Sequence, residues 1–198
     1  MTGGKLDYVI GNAGIVPMFD QFDAIGTLGE KPEELTAVAR DLFDTHVIAN
    51  VHLINLFMPL ILKGDAKKVV IISSGFADIE FTREYGIEVA ALYSSSKVAC
   101  NMIVAKFDAQ YRPQGVHVLA LCPGVVEVGH YNSITEDQLQ KLMANGAKFM
   151  KYAPDFSGPK TPEKSVTMLR EVISNSSIEK GNGGDFLSHY GNKKWIGA

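Results

Sequence analysis

The sequence has few of the features that mark secreted, membrane or nucleic-acid-binding proteins. Its 198 residues include only two cysteines, Cys100 and Cys122, which form no disulfide framework and favour a reducing compartment. The first residues lack the basic start and long apolar stretch of a signal peptide, and no apolar run is long enough to span a membrane. A formal net charge of -3 leaves no basic footprint for nucleic acid. We therefore expect a cytoplasmic protein that binds neither nucleic acid nor a membrane.

Strand and helix patterns alternate along the whole chain. Short apolar runs predict strands at 6–11, 68–73, 116–122 and 183–189. Helical spacing, together with Pro, Thr and Gly at the segment ends, predicts helices at 33–62, at 90–111, from Thr135 to about Met150 and from Thr161 to about Ser174. Strands joined by long helical crossovers predict a parallel α/β sheet with flanking helices in a single domain, 1–198.

Small and polar residues follow three of the predicted strands. The first strand runs into Asn12-Ala13-Gly14, the second ends in Ser73-Ser74-Gly75, and the third is followed by Pro123-Gly124. Parallel sheets bind their ligands at the carboxyl ends of the strands, so these residues predict a ligand site at one edge. The helix between the second and third strands carries Tyr93 and Lys97 near its start, one turn apart on one face.

The stretch ALYSSSKVAC, which contains Tyr93 and Lys97, has the chemistry of an acid–base pair. A free tyrosine has a pKa of about 10, and a nearby ammonium can lower that pKa by roughly 1–3 units. A hydroxyl such as that of Ser74 could hold a carbonyl oxygen while the phenol exchanges a proton with it. The pair alone is more often an ordinary solvated pair on a helix. Its combination with three strand-end motifs favours catalysis.

The motifs NAG, ISS, YSSSK and PGVV occur in this order, and the chain resembles the short-chain dehydrogenase/reductase family over essentially its whole length. The C-terminal GGDFLSHYGNKKWIG is similar to the end of fungal-type members. The resemblance implies that Tyr93 is the catalytic acid/base, that Lys97 lowers its pKa and binds the nicotinamide ribose, and that Ser74 orients the substrate. It implies NAD or NADP as cofactor, bound by Asn12, Ala13, Gly14, Tyr93, Lys97, Pro123, Gly124 and Val126, and it implies no metal.

The sequence departs from the family pattern on its amino-terminal side. The family begins with a strand and a glycine-rich TGxxxGxG turn, whose helix N-terminus receives the cofactor pyrophosphate. Here Asn12 lies close to the first residue, and TGGK at 2–5 precedes a strand instead of joining a strand to a helix. The resemblance therefore implies a partial Rossmann-like fold that is N-terminally incomplete, and we expect dinucleotide binding by the isolated chain to be weak or undetectable.

Other departures concern the predicted site itself. His46 stands where the family usually has an asparagine, and it is either a buried helix histidine bonded to a neighbour or a member of the proton relay. Asn50, one turn further along, could partly replace that asparagine. Val128 stands where the family often has threonine, and valine cannot donate a hydrogen bond to the nicotinamide amide. The interval from Ser74 to Tyr93 is longer than usual, which predicts an inserted loop at the rim of the site.

Three functions remain open for such a chain. The first is an NAD(P)-dependent carbonyl reductase or alcohol dehydrogenase acting on a small molecule. The second is a cofactor-free isomerase, lyase or dehydratase, and the third is a non-catalytic binding or assembly protein. The retained Tyr93 and Lys97 argue against the third, and the family resemblance favours the first.

The substrate side and the oligomeric state are also predicted. The segment 127–160 is the expected lid, and its Tyr131, Leu142, Met143, Phe149 and Tyr152 form either an apolar substrate face or ordinary core. Strand 6–11 is predicted to have an unpaired edge, which favours contact with another chain. Helices 33–62 and 90–111 resemble the pair that forms the family's dimer interface. We therefore expect a homo-oligomer, at least a dimer.

Overall fold

The strands form one parallel sheet, as the sequence predicted. A computed structural model describes residues 3–197 of the chain. Its sheet has the order β1-β2-β3-β4, in which every neighbouring pair is parallel. The four strands are β1 (Tyr8–Gly11), β2 (Lys68–Ile72), β3 (His117–Cys122) and β4 (Phe186–Ser188). Because all four run the same way, their carboxyl ends lie at one edge, where the predicted motifs begin.

Helices connect the strands, and two of them begin where the sequence predicted a cap. The α-helices are α1 (Ile25–Leu28), α2 (Pro32–Phe43), α3 (Ala49–Ile61), α4 (Ile79–Tyr85), α5 (Ala91–Tyr111), α6 (Glu136–Tyr152) and α7 (Pro162–Asn175). Thr135 and Gln138 form a reciprocal capping box at the start of α6. The Thr161 side chain accepts a hydrogen bond from the Lys164 amide at the start of α7. These caps explain why both predicted starts are confirmed.

The predicted helix 33–62 contains one irregular turn. A five-residue π-helical turn, Asp44–Ile48, separates α2 from α3. The helical segment is confirmed from Pro32 to Ile61, but the π-helical turn inside it was not predicted, because the sequence period alone carries no signal for one inserted residue. Such π-helical turns are rare and are often found at functional sites. The turn contains His46, whose side chain is fully buried.

The predicted inserted loop between Ser74 and Tyr93 contains a helix. The Asp78 side chain accepts a hydrogen bond from the Phe81 amide and caps α4, while Gly86 at φ 62° ends it in the left-handed conformation. Phe81 is buried against aromatic residues of α6. The prediction of a loop was therefore wrong, because one cap and one buried aromatic side chain are enough to fix two turns of helix here.

The sheet is covered by helices on both faces over most of its width. Residues of α3 and α5 pack on one face, around Val9, Val69 and Val118, and α7 packs on the other face, around Val70 and Leu119. This two-sided burial explains the continuous apolar runs of β2 and β3. The edge strand β1 differs, because its Tyr8 and Ile10 are about half exposed, at 48% and 52%. No helix within residues 3–197 is long and apolar enough to cross a membrane.

Gly64 fixes the close approach of the end of α3 to the segment that leads into β1. A Cβ atom at this position would overlap the Leu6 carbonyl group, with the carbonyl carbon only 2.8 Å away. We expect Gly64→Ala to lower the free energy of unfolding by about 1–3 kcal/mol, because the backbone itself must shift. Urea unfolding measures this change.

Gly146, inside α6, provides the matched control. A Cβ atom there meets nothing within 4 Å, and alanine is favoured over glycine in a helix by about 1 kcal/mol. Gly146→Ala is therefore expected to raise the free energy of unfolding. Equal effects of the two substitutions would contradict the close approach at Gly64.

Candidate active site

The carboxyl edge of the sheet brings several predicted site residues together. Tyr93 in the first turn of α5 lies near Ser74, which follows β2, and hydrogen bonding by the Ser74 side chain acts to lower the pKa of the phenol. Lys97, one turn later, donates from Nζ to the Ile72 carbonyl at the end of β2, at 3.0 Å. A Cβ atom at Gly14 would lie 3.7 Å from that same Nζ atom. The ends of β1 and β2 and the start of α5 therefore meet around one ammonium and one phenol.

The pKa of Tyr93 differs from the sequence-based expectation. Burial raises the pKa of this phenol to about 12, and the hydrogen bond with Ser74 opposes that rise. The predicted fall in the Tyr93 pKa is therefore not seen in this structure, because burial outweighs the neighbouring Lys97 charge. The Lys97 Nζ lies 5.7 Å from the centre of the Tyr93 ring and bonds a backbone carbonyl. The phenol is consequently protonated at neutral pH.

Lys97 is a buried cation. Its side chain is 5% exposed, and burial lowers the pKa of its ammonium. Among residues 3–197, no aspartate or glutamate forms an ion pair with it. A buried charge without an opposite partner costs stability. Buried groups with perturbed pKa values at the edge of a sheet are candidates for a functional site.

His46 is neutral and has partners at both ring nitrogens. The Ile15 amide donates to its Nε2 at 3.1 Å, so the ring proton is on Nδ1, which lies 2.8 Å from the Ser96 hydroxyl oxygen. The Ser96 hydroxyl in turn donates to the Tyr93 carbonyl at 2.7 Å. The Asn50 side-chain amide donates to the His46 carbonyl at 2.8 Å. This network connects the loop after β1 with the first turn of α5.

Burial lowers the pKa of His46 to about 4, and the nearby Lys97 charge adds to the effect. Between pH 6.5 and pH 4 the unfolded chain therefore binds a proton at this residue that the folded chain does not. We expect the free energy of unfolding to fall as the pH is lowered through this range. His46→Asn should reduce the steepness of that fall by up to about 1.4 kcal/mol per pH unit.

Urea titrations at several pH values measure this slope. His52→Asn, at an exposed histidine of α3, is the matched control and should leave the slope unchanged. The same slope in His46→Asn and in the parent protein would show that His46 is not buried in its neutral form.

The loop after β3 approaches the site from the other side. Gly124 has φ +79°, and a Cβ atom there would lie 2.5 Å from Cε1 of the buried His189, so two constraints require glycine at this position. Val126 forms an isolated parallel bridge with Lys160. The Cys122 sulfur accepts hydrogen bonds from the Gly75 amide at 3.0 Å and the Gly124 amide at 3.4 Å. These bonds fix the loop after β3 against the loop after β2.

The remaining predicted cofactor and lid residues are more scattered. Asn12 and Ala13 lie exposed in the loop that leads to Gly14, and Val128 is 72% exposed. Of the predicted lid residues, Phe149 reaches the site through Phe76, whose ring makes edge contacts with both Phe149 and Tyr93. Tyr152 packs in an aromatic cluster with Phe81 and Tyr85. Of the other lid residues, Met143 and Tyr131 are exposed, and Leu142 is half-buried.

Sequence reasoning missed two residues that contact Tyr93. Phe76 follows Ser74 by two positions and contacts the phenol ring. Asp20 is fully buried and accepts a hydrogen bond from the Tyr93 amide at 2.9 Å. An aspartate followed by apolar positions is a helix-cap signal, but Asp20 caps a helix 73 residues later in the chain. No local pattern reveals a cap at that separation.

Sequence comparison shows the family of the chain. A family model described as short chain dehydrogenase matches residues 1–139. The short chain dehydrogenase virK of Hypocrea virens is 47% identical over 196 residues, which cover 99% of this chain and 72% of that protein. The short-chain dehydrogenase/reductase iacC of Pestalotiopsis fici is 44% identical, with 96% and 70% covered. Both relatives are fungal, as the C-terminal segment predicted.

Solved structures show the same fold at lower identity. An NADPH-bound carbonyl reductase from chicken fatty liver has a TM-score of 0.69 at 23% identity, and covers 96% of this chain. The carbonyl reductase Sniffer of D. melanogaster has a TM-score of 0.70 at 19% identity, again over 96% of this chain. The chain spans 66% and 67% of these two structures. The family model matches most of this chain, and one relative is identical to it at nearly half of the aligned positions. The chain therefore belongs to the short-chain dehydrogenase family of oxidoreductases.

Proposed function

We propose that the protein reduces a carbonyl group, or oxidises the corresponding alcohol, with NAD or NADP and with Tyr93, Ser74 and Lys97 at the reacting oxygen. The observation that carries this proposal is the pairing of the Tyr93 and Ser74 side chains at the carboxyl edge of the sheet, with the buried Lys97 one turn away. Family membership supports the reaction class, and the two carbonyl reductases share the fold.

The protonation state of Tyr93 suits the reduction direction. Because its pKa is about 12, the phenol carries its proton at neutral pH and can give it to a carbonyl oxygen held by the Ser74 hydroxyl. A nicotinamide cofactor bound beside them would supply the hydride. As the proton leaves, negative charge develops on the Tyr93 oxygen, and the Lys97 ammonium is the nearby positive charge that stabilises it.

The candidate cofactor residues fit a nucleotide in two places. Gly14 ends the exposed loop 12–14, and a Cβ atom there would lie 3.7 Å from the Lys97 Nζ atom, so this loop is the part of the chain through which a ribose would reach Lys97. Pro123, Gly124 and Val126 form the facing loop, which is fixed through Cys122. Lys97 uses one of its three donors on Ile72 and keeps others for a ribose hydroxyl. We propose that these residues border the ribose and the nicotinamide.

His46 receives a positioning role in this proposal. Both of its ring nitrogens are already hydrogen-bonded, so a part in a proton relay would require one of these bonds to break. Its contact with Tyr93 is an edge contact between rings, with centroids 5.6 Å apart. We propose that His46 holds the first turn of α5 through Ser96. His46→Asn should then keep most of the turnover, whereas loss of turnover with correct folding would favour the relay.

The experiment that tests the proposed function combines cofactor binding with a substrate screen. NADH and NADPH are titrated by calorimetry. A panel of aldehydes, ketones and the matching alcohols is then screened for a change in nicotinamide absorbance. Turnover that is lost in Tyr93→Phe supports the proposal. Conversion of substrate without any change in the cofactor would overturn it.

We also propose a homo-oligomer, at least a dimer. Leu56 of α3 and Met102 of α5 are 71% and 58% exposed, and Tyr8 and Ile10 leave the sheet edge apolar. Large exposed apolar side chains on neighbouring elements are typical of protein contacts. Light scattering over a concentration series measures the mass, and a stable monomer at micromolar concentration would contradict this proposal. A cytoplasmic location remains a prediction from the cysteine content.

A further inference from the structure

We propose that residues 20–23, Asp-Gln-Phe-Asp, act as a strap that positions Tyr93 and connects it to the lid segment 127–160. In this role Asp20 is a positioning residue that acts through the backbone of the first turn of α5. The inference rests on the proposed function insofar as Tyr93 is the proton donor. The contacts that carry it are independent of any cofactor or substrate.

Asp20 holds the start of α5 from outside the helix. Its Oδ2 accepts a hydrogen bond from the Tyr93 amide at 2.9 Å, and its backbone carbonyl accepts one from the Ala90 amide at 2.7 Å. Both donors are among the amide groups that a helix start leaves without an internal partner. α5 has no cap from its own N-cap side chain, because that residue is Ala90. Asp20 therefore replaces the missing local cap.

The backbone at Ala90 shows that this start of the helix is held in place. Ala90 has φ 55° and ψ 38°, the left-handed conformation that residues with a Cβ atom rarely adopt. Such a conformation persists only where the surrounding contacts enforce it. Ala90 is 1% exposed, and its amide bond to Asp20 is one of those contacts. The residue after this strained position begins the helix that presents Tyr93.

The next strap residues contact the lid. The Tyr131 hydroxyl lies 3.3 Å from Oε1 of Gln21 and donates to it. The rings of Phe22 and Tyr131 form an edge contact with centroids 6.3 Å apart. Asp23 forms an ion pair with Lys141 of α6 at 2.9 Å. Three consecutive residues of the strap thus bind two separated positions of the segment 127–160.

Gln21 joins the two halves of the strap. Its Nε2 donates to Oδ1 of Asp20 at 3.2 Å, while its Oε1 accepts from Tyr131. A continuous set of hydrogen bonds therefore runs from the Tyr131 hydroxyl through Gln21 and Asp20 to the Tyr93 amide. A change in the position of the lid is transmitted along these bonds to the helix turn that carries the phenol.

Hydrogen exchange of the backbone amides in residues 91–94 tests the strap directly and needs neither substrate nor cofactor. Asp20→Ala removes the acceptor for the Tyr93 amide, and exchange there should become roughly fivefold to tenfold faster, the usual effect of losing one helix cap. Asp20→Asn keeps one acceptor oxygen, which can face the Tyr93 amide, and should restore most of the slow exchange, although its NH2 group cannot accept from Gln21. Asp41→Ala, at an exposed aspartate of α2, is the matched control.

Tyr131→Phe tests the connection to the lid without touching the cap. This variant keeps the ring contact with Phe22 and removes only the hydrogen bond to Gln21. Exchange in residues 91–94 should become faster, because the hydrogen bonds from Tyr131 through Gln21 and Asp20 end at the Tyr93 amide. Because Tyr131→Phe leaves Asp20 intact, it also tests whether the strap holds the first turn of α5 if Asp20→Ala does not fold. Unchanged exchange in a folded Tyr131→Phe protein would overturn the connection to the lid.

Kinetics then separate the positioning role from a purely structural one. A misplaced phenol reduces the stabilisation of the transition state more than it reduces substrate binding. Asp20→Ala should therefore lower kcat by roughly tenfold while KM changes by less than about twofold, and Asp20→Asn should recover kcat. Faster exchange in Asp20→Ala with unchanged kcat would overturn the positioning role. If Tyr93→Phe itself leaves turnover intact, the proposed function fails, while the exchange result still decides the strap.

Discussion

Replacement of Tyr93 by phenylalanine is expected to lower turnover by about 100-fold or more, the usual size of a general acid–base contribution. Phenylalanine keeps the ring that contacts His46 and Phe76 and removes only the hydroxyl that bonds Ser74. The fold should therefore survive, and the loss should appear in kcat. Steady-state kinetics on any substrate that the parent protein converts measure the effect.

Tyr111→Phe is the matched control for this prediction. Tyr111 lies at the end of the same helix and stacks on Phe107, with ring centroids 6.3 Å apart. Its replacement should leave kcat and KM unchanged. A Tyr93→Phe protein whose kinetics equal those of the parent would remove Tyr93 from the chemistry and leave the site without a proton donor.

Lys97→Met is expected to make the protein more stable and less active. Methionine preserves most of the length of the side chain and removes an ammonium that is buried without an acidic partner. Relief of that burial should raise the free energy of unfolding by about 1 kcal/mol or more. Loss of the positive charge beside the developing Tyr93 phenolate should lower kcat by roughly tenfold or more. A gain in stability with a loss in activity is typical of functional residues.

Lys106→Met, at an exposed lysine of α5, is the control for Lys97→Met. Neither its stability nor its turnover should change by a comparable amount. Urea unfolding and steady-state kinetics are measured on both variants. A Lys97→Met protein that is less stable and equally active would show that the ammonium has a structural role only.

The sequence predicted the elements whose signals are local. The strands β2 and β3 are continuous apolar runs because helices cover both faces of the sheet. The starts of α6 and α7 were readable because Thr135 and Thr161 cap them from the adjacent position. The strand-end motifs and the spacing of Tyr93 and Lys97 are local signals of the same kind, and the structure places these residues near one edge of the sheet.

The features that the sequence did not reveal depend on contacts between distant segments. The π-helical turn at Asp44–Ile48 fits the same apolar period as a continuous helix. The pKa of Tyr93 depends on burial by several elements, and burial outweighs the neighbouring charge that the spacing suggested. Asp20 and Tyr93 are joined by a hydrogen bond across 73 residues. In each case the deciding interaction is tertiary and leaves no mark on the local pattern.

The proposed carbonyl reduction, with Tyr93 as the proton donor, is tested most directly by following a labelled hydrogen from NADPH or NADH into the product. The protein is incubated with a carbonyl substrate and with cofactor deuterated at the nicotinamide C4 position, and the product is analysed by mass spectrometry. We expect an alcohol with one deuterium on the former carbonyl carbon, formed by the parent protein and at least about 100-fold more slowly by Tyr93→Phe. A product that is formed at the parent rate without deuterium would contradict the proposed carbonyl reduction and would favour cofactor-free proton transfer.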